Sequence, residues 1–229
     1  SINTTYTSVN TTAGFSISQY VGTGSNATIG HGLGAVPKWI IVKNLSAAGN
    51  SWCVYHSGIG NTAAAFLEGT VVPHAHVDYW NNTSPTSSVF YIGAGTGTNG
   101  NGNNLIAYCF AEKTGYSKFG SYTGNGSSSS PPFIYTGFKP KFVMVKNTSQ
   151  ADGWFMHDNK RDGYNDDNEY LFANSTSAEG SNINRIRLLS NGFQVPTTDK
   201  SHNVSGNNYI YMSFGQSLVG SNNVPCTAR

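Results

Sequence analysis

The chain has 229 residues, and Asp, Glu, Lys and Arg make up only 10% of it, against about 25% in an ordinary soluble domain; the formal net charge is +2. A balance that small, without a basic run, gives no footing for a nucleic-acid partner. No apolar stretch approaches the roughly 18 residues of a membrane span, and the three cysteines form no CxxC pair, which leaves out a disulfide framework or a zinc site.

Residues 1–12 are rich in Thr and Asn and read as an N-terminal arm or connector. Gly14-Phe15-Ser16-Ile17-Ser18-Gln19-Tyr20 alternates apolar and polar positions, the period of a half-buried strand, and Gly22-Thr23-Gly24 turns it. A short strand around Thr28-Ile29 runs into the bend Gly30-His31-Gly32-Leu33-Gly34. Pro37-Lys38-Trp39-Ile40-Ile41-Val42-Lys43-Asn44 is β-branched and aromatic with charged ends, a buried strand, and it forms a hairpin with Trp52-Cys53-Val54-Tyr55-His56. Ala63 to Glu68 has a helix-like composition, but its later counterpart Asn168-Glu169-Tyr170-Leu171-Phe172 is strand-like, so both are assigned as strands. Residues 71–87 are polar with scattered aromatics. The strand Val89-Phe90-Tyr91-Ile92 follows, then a Gly/Asn-rich loop from Gly93 to Asn103, and Leu105 to Ala111 closes this part.

From Tyr116 the pattern starts again. Pro140-Lys141-Phe142-Val143-Met144-Val145-Lys146-Asn147 answers to the strand at Pro37, and Tyr122-Thr123-Gly124-Asn125-Gly126 to Tyr20-Val21-Gly22-Thr23-Gly24. Trp154…His157 answers to Trp52…His56, Gly192-Phe193-Gln194-Val195 to Val89–Ile92, and Asn208 to Phe214 to Asn104 to Phe110. Asn191-Gly192, between Arg185–Leu189 and Phe193–Val195, is a strong hairpin signal. Many short strands with frequent turn signals and almost no helical period predict an all-β fold. The expected architecture is a duplicated antiparallel β-sandwich, jelly-roll-like, with repeats at 13–115 and 116–229, the second carrying a C-terminal tail. The short junction Ala111-Glu112-Lys113-Thr114-Gly115 favours two repeats packed together, burying apolar faces that one unit could not bury alone.

These pieces, with Tyr108-Cys109-Phe110-Ala111-Glu112, Gly115-Tyr116-Ser117-Lys118-Phe119-Gly120 and Tyr135-Thr136-Gly137-Phe138-Lys139-Pro140, give the chain its likeness. Over roughly residues 13–216 it resembles tandem-repeat domains of bacteriophage tail-fibre and other virion-surface proteins. The resemblance implies a non-enzymatic structural or adhesion module on the virion surface, whose partners are other virion proteins and a host cell-surface glycan. Homotrimeric assembly is implied by the same likeness, because fibre proteins generally trimerise. A capsid-decoration or fibre-shaft domain without a ligand is the rival reading, and a polysaccharide-degrading enzyme comes third.

Aromatic residues in Asn/Asp/Ser/Gly loops suit sugars, which offer C–H faces for stacking and hydroxyls for hydrogen bonds. On that ground Tyr79, Trp80 and Tyr164 are the expected stacking residues, with Asn81, Asn82, Asp162 and Asn165 as polar partners; the competing role for Trp80 is to cap the core. His74 and His76, two apart on a strand-like segment, would point the same way with Asp78 and could bind a transition metal, a weak signal beside two solvated imidazoles. Asp162, Asp166, Asp167 and Glu169, with Asn165 and Asn168, offer oxygen ligands for calcium, but the EF-hand spacing fails and a solvated acidic turn is favoured. No cofactor is expected. His31 is read as part of a tight bend, since the second repeat has no histidine at that place and no helix follows to make a phosphate loop. No acid pair suited to glycoside hydrolysis and no Gly-x-Ser-x-Gly elbow is found.

Overall fold

A computed structural model of the chain describes residues 1–161, 165, 169–181 and 184–216. The chain divides into two units, Ser1–Glu112 and Lys113–Arg229.

Unit 1 contains β1 (Thr4–Asn10), β2 (Phe15–Val21), β3 (Ala27–Gly30), β4 (Trp39–Asn44), β5 (Cys53–His56), β6 (Ala63–Phe66) and β7 (His74–Ala75). A single helical turn α1 (Val77–Trp80), then β8 (Val89–Ile92), a second turn α2 (Thr96–Asn99) and β9 (Asn104–Phe110) complete it. Its large sheet has the order β1-β2-β9-β4-β5-β6-β7, and β3 pairs with β8 in a small one. The segment expected to be an arm is therefore an edge strand: β1 runs antiparallel to β2, and Ile2 bridges to Ile29. Its Thr and Val residues favour the pleated conformation despite their polar setting. Ala63–Phe66 is a strand because its first three residues are buried beside β5, where tertiary packing outweighs alanine's helical preference.

Unit 2 contains β10 (Ser117–Thr123), β11 (Phe133–Tyr135), β12 (Lys139–Asn147), β13 (Trp154–Asp158), β14 (Leu171–Phe172), β15 (Arg187–Leu189), β16 (Gly192–Gln194) and β17 (Asn208–Gln216). Its larger sheet has the order β10-β17-β12-β13-β14 and its smaller one β11-β16-β15. The Asn191-Gly192 signal is met by the β15–β16 pairing.

The numbered strands pair antiparallel, and the fold is all-β. Each unit buries an apolar cluster of its own. In unit 1, Tyr20, Ile40, Val42, Leu105 and Ala107 of the large sheet meet Ile29, Phe90 and Ile92 of the small one. In unit 2, Val143, Val145, Tyr209 and Tyr211 meet Ile134, Leu188 and Phe193. Fully burying one such side chain contributes about 1.5–3 kcal/mol.

The pairing registers within the two units follow the same pattern. Val42 lies opposite Cys53 and Ala107; Val145 lies opposite Phe155 and Tyr211. Side-chain bonds run in parallel too. Asn44 Oδ1 accepts from the N–H groups of Ser46 and Ala47, and Asn147 Oδ1 from those of Ser149 and Gln150. Asn44 Nδ2 donates to the Thr96 carbonyl at 2.8 Å and Asn147 Nδ2 to that of Lys200 at 2.7 Å. Tyr20 Oη donates to the Thr98 carbonyl at 2.6 Å and Tyr122 Oη to that of His202 at 2.8 Å. Gly97 and Ser201 sit between these anchor points. One departure from the expected matches follows: His157 pairs with Val143 as Tyr55 pairs with Ile40, so the counterpart of His157 is Tyr55 rather than His56.

Candidate functional site

Beside β5 and β6, unit 1 opens a cleft of about 410 Å³. Its floor is Cys53 on β5 and Phe66 on β6; one wall carries His74, His76, Asp78 and Tyr79; the rim is formed by Asn50 and Ser51 and by Thr96 and Gly97 of α2. The rim loop is held shut locally, because Lys43 Nζ donates to the Asn50 carbonyl while lying 5.5 Å from the centre of the Trp52 ring. The opposite wall hangs on α1. The ring nitrogen Nδ1 of His76 accepts the Asp78 N–H at 3.3 Å as an N-cap, and Asn81 ends the turn in the left-handed conformation with φ 50°. The Asp78 and Tyr79 carbonyls are then tied to the next connection, accepting from the Gly95 and Gly93 N–H groups at 3.1 and 3.2 Å. Gly93 is required here: a Cβ would stand 2.5 Å from the Asp78 backbone, closer than any real contact.

Tyr79 is half-buried, edge-on to Phe66 with ring centres 5.8 Å apart, and its hydroxyl lies 3.3 Å from His74 Nδ1. Burial first, then the nearby Cys53 and Asp78, raise its phenol above the usual range. The exposed rings of His74 and His76 are parallel within 8°. Cys53 is 1% exposed, and its thiol is pushed up to about 12, chiefly by burial. At neutral pH it is therefore a small apolar floor group and no nucleophile.

Trp80 is not available for stacking. It is 1% exposed, packs edge-on against Tyr55 and donates from Nε1 to the Ala63 carbonyl at 3.1 Å, so it belongs to the core. The reason is the helical turn itself, which directs Trp80 inward while Tyr79 lines the cleft. Asn81 and Asn82 shape the chain after that turn, both at positive φ, and Asn26 Nδ2 donates to Asn81 Oδ1 at 2.8 Å. Asn165 is likewise a structural residue, its amide exchanging bonds with the Leu188 backbone at 2.7 and 3.2 Å. Asp162, Tyr164, Asp166, Asp167 and Asn168 lie outside the described residues, as does Cys226.

The metal expectation needs correction in its geometry. The strand ends at Ala75, so Asp78 does not continue the alternation of His74 and His76; it lies in α1, with Oδ2 3.3 Å from His76 Nδ1. Among the described residues no group of three or more His, Cys, Asp or Glu side chains is placed to hold a metal ion. His31 is wholly buried in its bend, with Nε2 on the Thr86 carbonyl at 3.1 Å and Nδ1 accepting the Leu33 N–H at 3.2 Å. Trp39 and Trp154 are core, whereas Trp52 is only half-buried and stacks on Tyr108.

At the matching place of unit 2 the described residues form an aromatic cluster. Phe155 stands at the place of Cys53, and its ring packs with Tyr170, Phe172 and His202 at centre distances of 5.5, 4.9 and 5.1 Å. The Arg185 guanidinium covers this cluster, 4.1 Å from the Tyr170 ring centre. The small pair Cys53 and Gly97 thus leaves open what Phe155 and Ser201 help to close. Sequence reasoning missed Cys53, Gly97 and Asn50 as cleft residues. The size contrast between Cys53 and Phe155 was the signal that could have found them.

Residues 1–217 match the model of a family described as a domain of unknown function, DUF7483. The chain belongs to the DUF7483 family. No curated protein and no solved structure matches it. The DUF7483 match spans unit 1 and all the described part of unit 2.

Proposed function

We propose that the chain is a non-enzymatic surface module of a bacteriophage virion, a duplicated β-sandwich whose first unit holds a host-surface glycan. Duplication is supported by the matching strand orders, registers and asparagine and tyrosine anchors of the two units. A shared ancestral unit accounts for bonds that recur at non-consecutive places along both halves, which turn chemistry alone would not reproduce. The virion setting rests on the resemblance in sequence, with its neutral Asn-, Ser- and Thr-rich surface.

The observation that carries the binding reading is the cleft left by Cys53 and Gly97 at a place that unit 2 fills with Phe155 and its aromatic neighbours. Two copies of one framework that differ there, one open and one packed, point to use of the open one. Its lining mixes the Tyr79 phenol, two imidazoles, the Asn50 amide and the Asp78 carboxylate, a set that offers a stacking face and several hydrogen bonds to a pyranose. A single carboxylate in the lining supports binding over hydrolysis, since glycoside hydrolysis generally uses two carboxyls across the bond.

A glycan array probed with the full chain and with Tyr79→Ala tests this reading. Binding by the wild type that falls at least about tenfold in the variant, a loss of about 1.4 kcal/mol, is the expected result. A blank array with wild type would leave the ligand-free shaft or decoration domain as the better account, and equal binding by both proteins would remove the site from this cleft.

A further inference from the structure

We infer that the unit 1 cleft selects uncharged saccharides and rejects acidic ones, through the carboxylate of Asp78. The inference rests on the glycan reading of the cleft and adds the class of sugar. Among the lining residues Asp78 is the one that carries a formal charge with histidine neutral; no Lys or Arg lines the cleft to receive a uronate, a sialate or a phosphate. Lys43, the nearest candidate by sequence, turns its ammonium to the Asn50 carbonyl and the Trp52 ring.

Asp78 is also held where a ligand would meet it. Its backbone carbonyl accepts from Gly95 N–H at 3.1 Å and from Thr98 Oγ1 at 3.2 Å, while its side chain remains 44% exposed. Its Oδ2 lies 3.3 Å from His76 Nδ1, and the remaining lone pairs of the carboxylate accept hydroxyl protons such as neutral hexoses present. The same carboxylate repels a sugar acid. At a partly solvated site the repulsion between two unit charges about 4 Å apart amounts to tenfold or more in affinity. Tyr79 Oη and the Asn50 amide serve either kind of sugar and so leave the discrimination to Asp78.

The test uses the full chain and matched pairs of oligosaccharides that differ only in a terminal hexose or the corresponding hexuronate, with dissociation constants measured at neutral pH. The expected outcome is at least about tenfold weaker binding of the acidic member, and a ratio within about twofold in Asp78→Asn, which keeps the shape and one acceptor oxygen, exchanges the other for an amide donor and removes the charge. Equal or tighter binding of hexuronates, or a ratio unchanged in Asp78→Asn, would overturn the inference while leaving glycan binding intact. If neither member of any pair bound, the glycan reading itself would fall, and the selectivity with it.

Discussion

The Nε2 atoms of His157 and His202 lie 3.0 Å apart in a fully buried contact. One ring must donate to the other, the accepting ring is neutral, and burial favours the neutral form of both. His202 Nδ1 contacts Ser201 Oγ at 2.7 Å, while His157 Nδ1 has no partner among the described residues. Burial, then Arg185, lowers His157 to about 3, and burial, then His157, lowers His202 well below its usual value. In the unfolded chain both titrate near 6.5. Between about pH 6.5 and 3 the unfolded state therefore binds more protons, and stability falls as pH falls, by up to about 1.4 kcal/mol per pH unit for each histidine. Urea midpoints should be level above pH 7 and drop steeply from pH 6.5 to 4.5. His157→Gln should flatten that drop; a midpoint independent of pH across the window would refute the argument.

Trp80 and Tyr79 are neighbours with opposite duties, and substitutions should separate them. Trp80→Ala removes a fully buried indole and its bond to the Ala63 carbonyl, a cost of about 3–5 kcal/mol. Tyr79→Ala removes a half-buried ring and should cost less, about 1–2 kcal/mol. Denaturant unfolding measures both. A Tyr79→Ala penalty as large as that of Trp80→Ala would place Tyr79 in the core instead of the cleft.

Asn99 and Asn203 anchor the last turns before the closing strands. Asn99 Oδ1 accepts the Thr23 N–H at 2.8 Å, and its Nδ2 donates to the Gly93 and Ser25 carbonyls. Asn203 Oδ1 accepts the Asn125 N–H at 2.8 Å, and its Nδ2 reaches the Thr197 carbonyl at 2.7 Å. Alanine at either place strands buried backbone groups, each worth about 1–3 kcal/mol. Hydrogen exchange should quicken at Thr23 in Asn99→Ala and at Asn125 in Asn203→Ala. Unchanged protection in both variants would contradict the anchoring role.

Strands were legible in the sequence where one physical signal dominated. The runs at Trp39 and Phe142 are β-branched and flanked by turns, and both became central strands. The segment from Gly93 to Asn103 was not legible. Its glycines suggest an open loop, yet Asn99, wholly buried, organises α2 there through its amide, and a lone Asn among others carries no mark of that duty. The helical turn at α1 was hidden as well, being too short for a period, and it moved Trp80 from expected ligand contact to core while leaving Tyr79 in the cleft. The cleft itself depends on an absence, the missing bulk at Cys53 and Gly97. Such an absence emerges only when the two units are laid over one another in register, since each residue alone looks like ordinary strand and loop filling.

The most direct test of the account is the affinity of Cys53→Phe for the strongest array ligand, measured by titration calorimetry beside its unfolding midpoint. Phenylalanine at this place copies the packing of Phe155 and occupies the cleft floor. The account predicts binding at least about thirtyfold weaker, a loss of about 2 kcal/mol, with the folded state retained. Affinity within about twofold of wild type in a folded Cys53→Phe protein would contradict it.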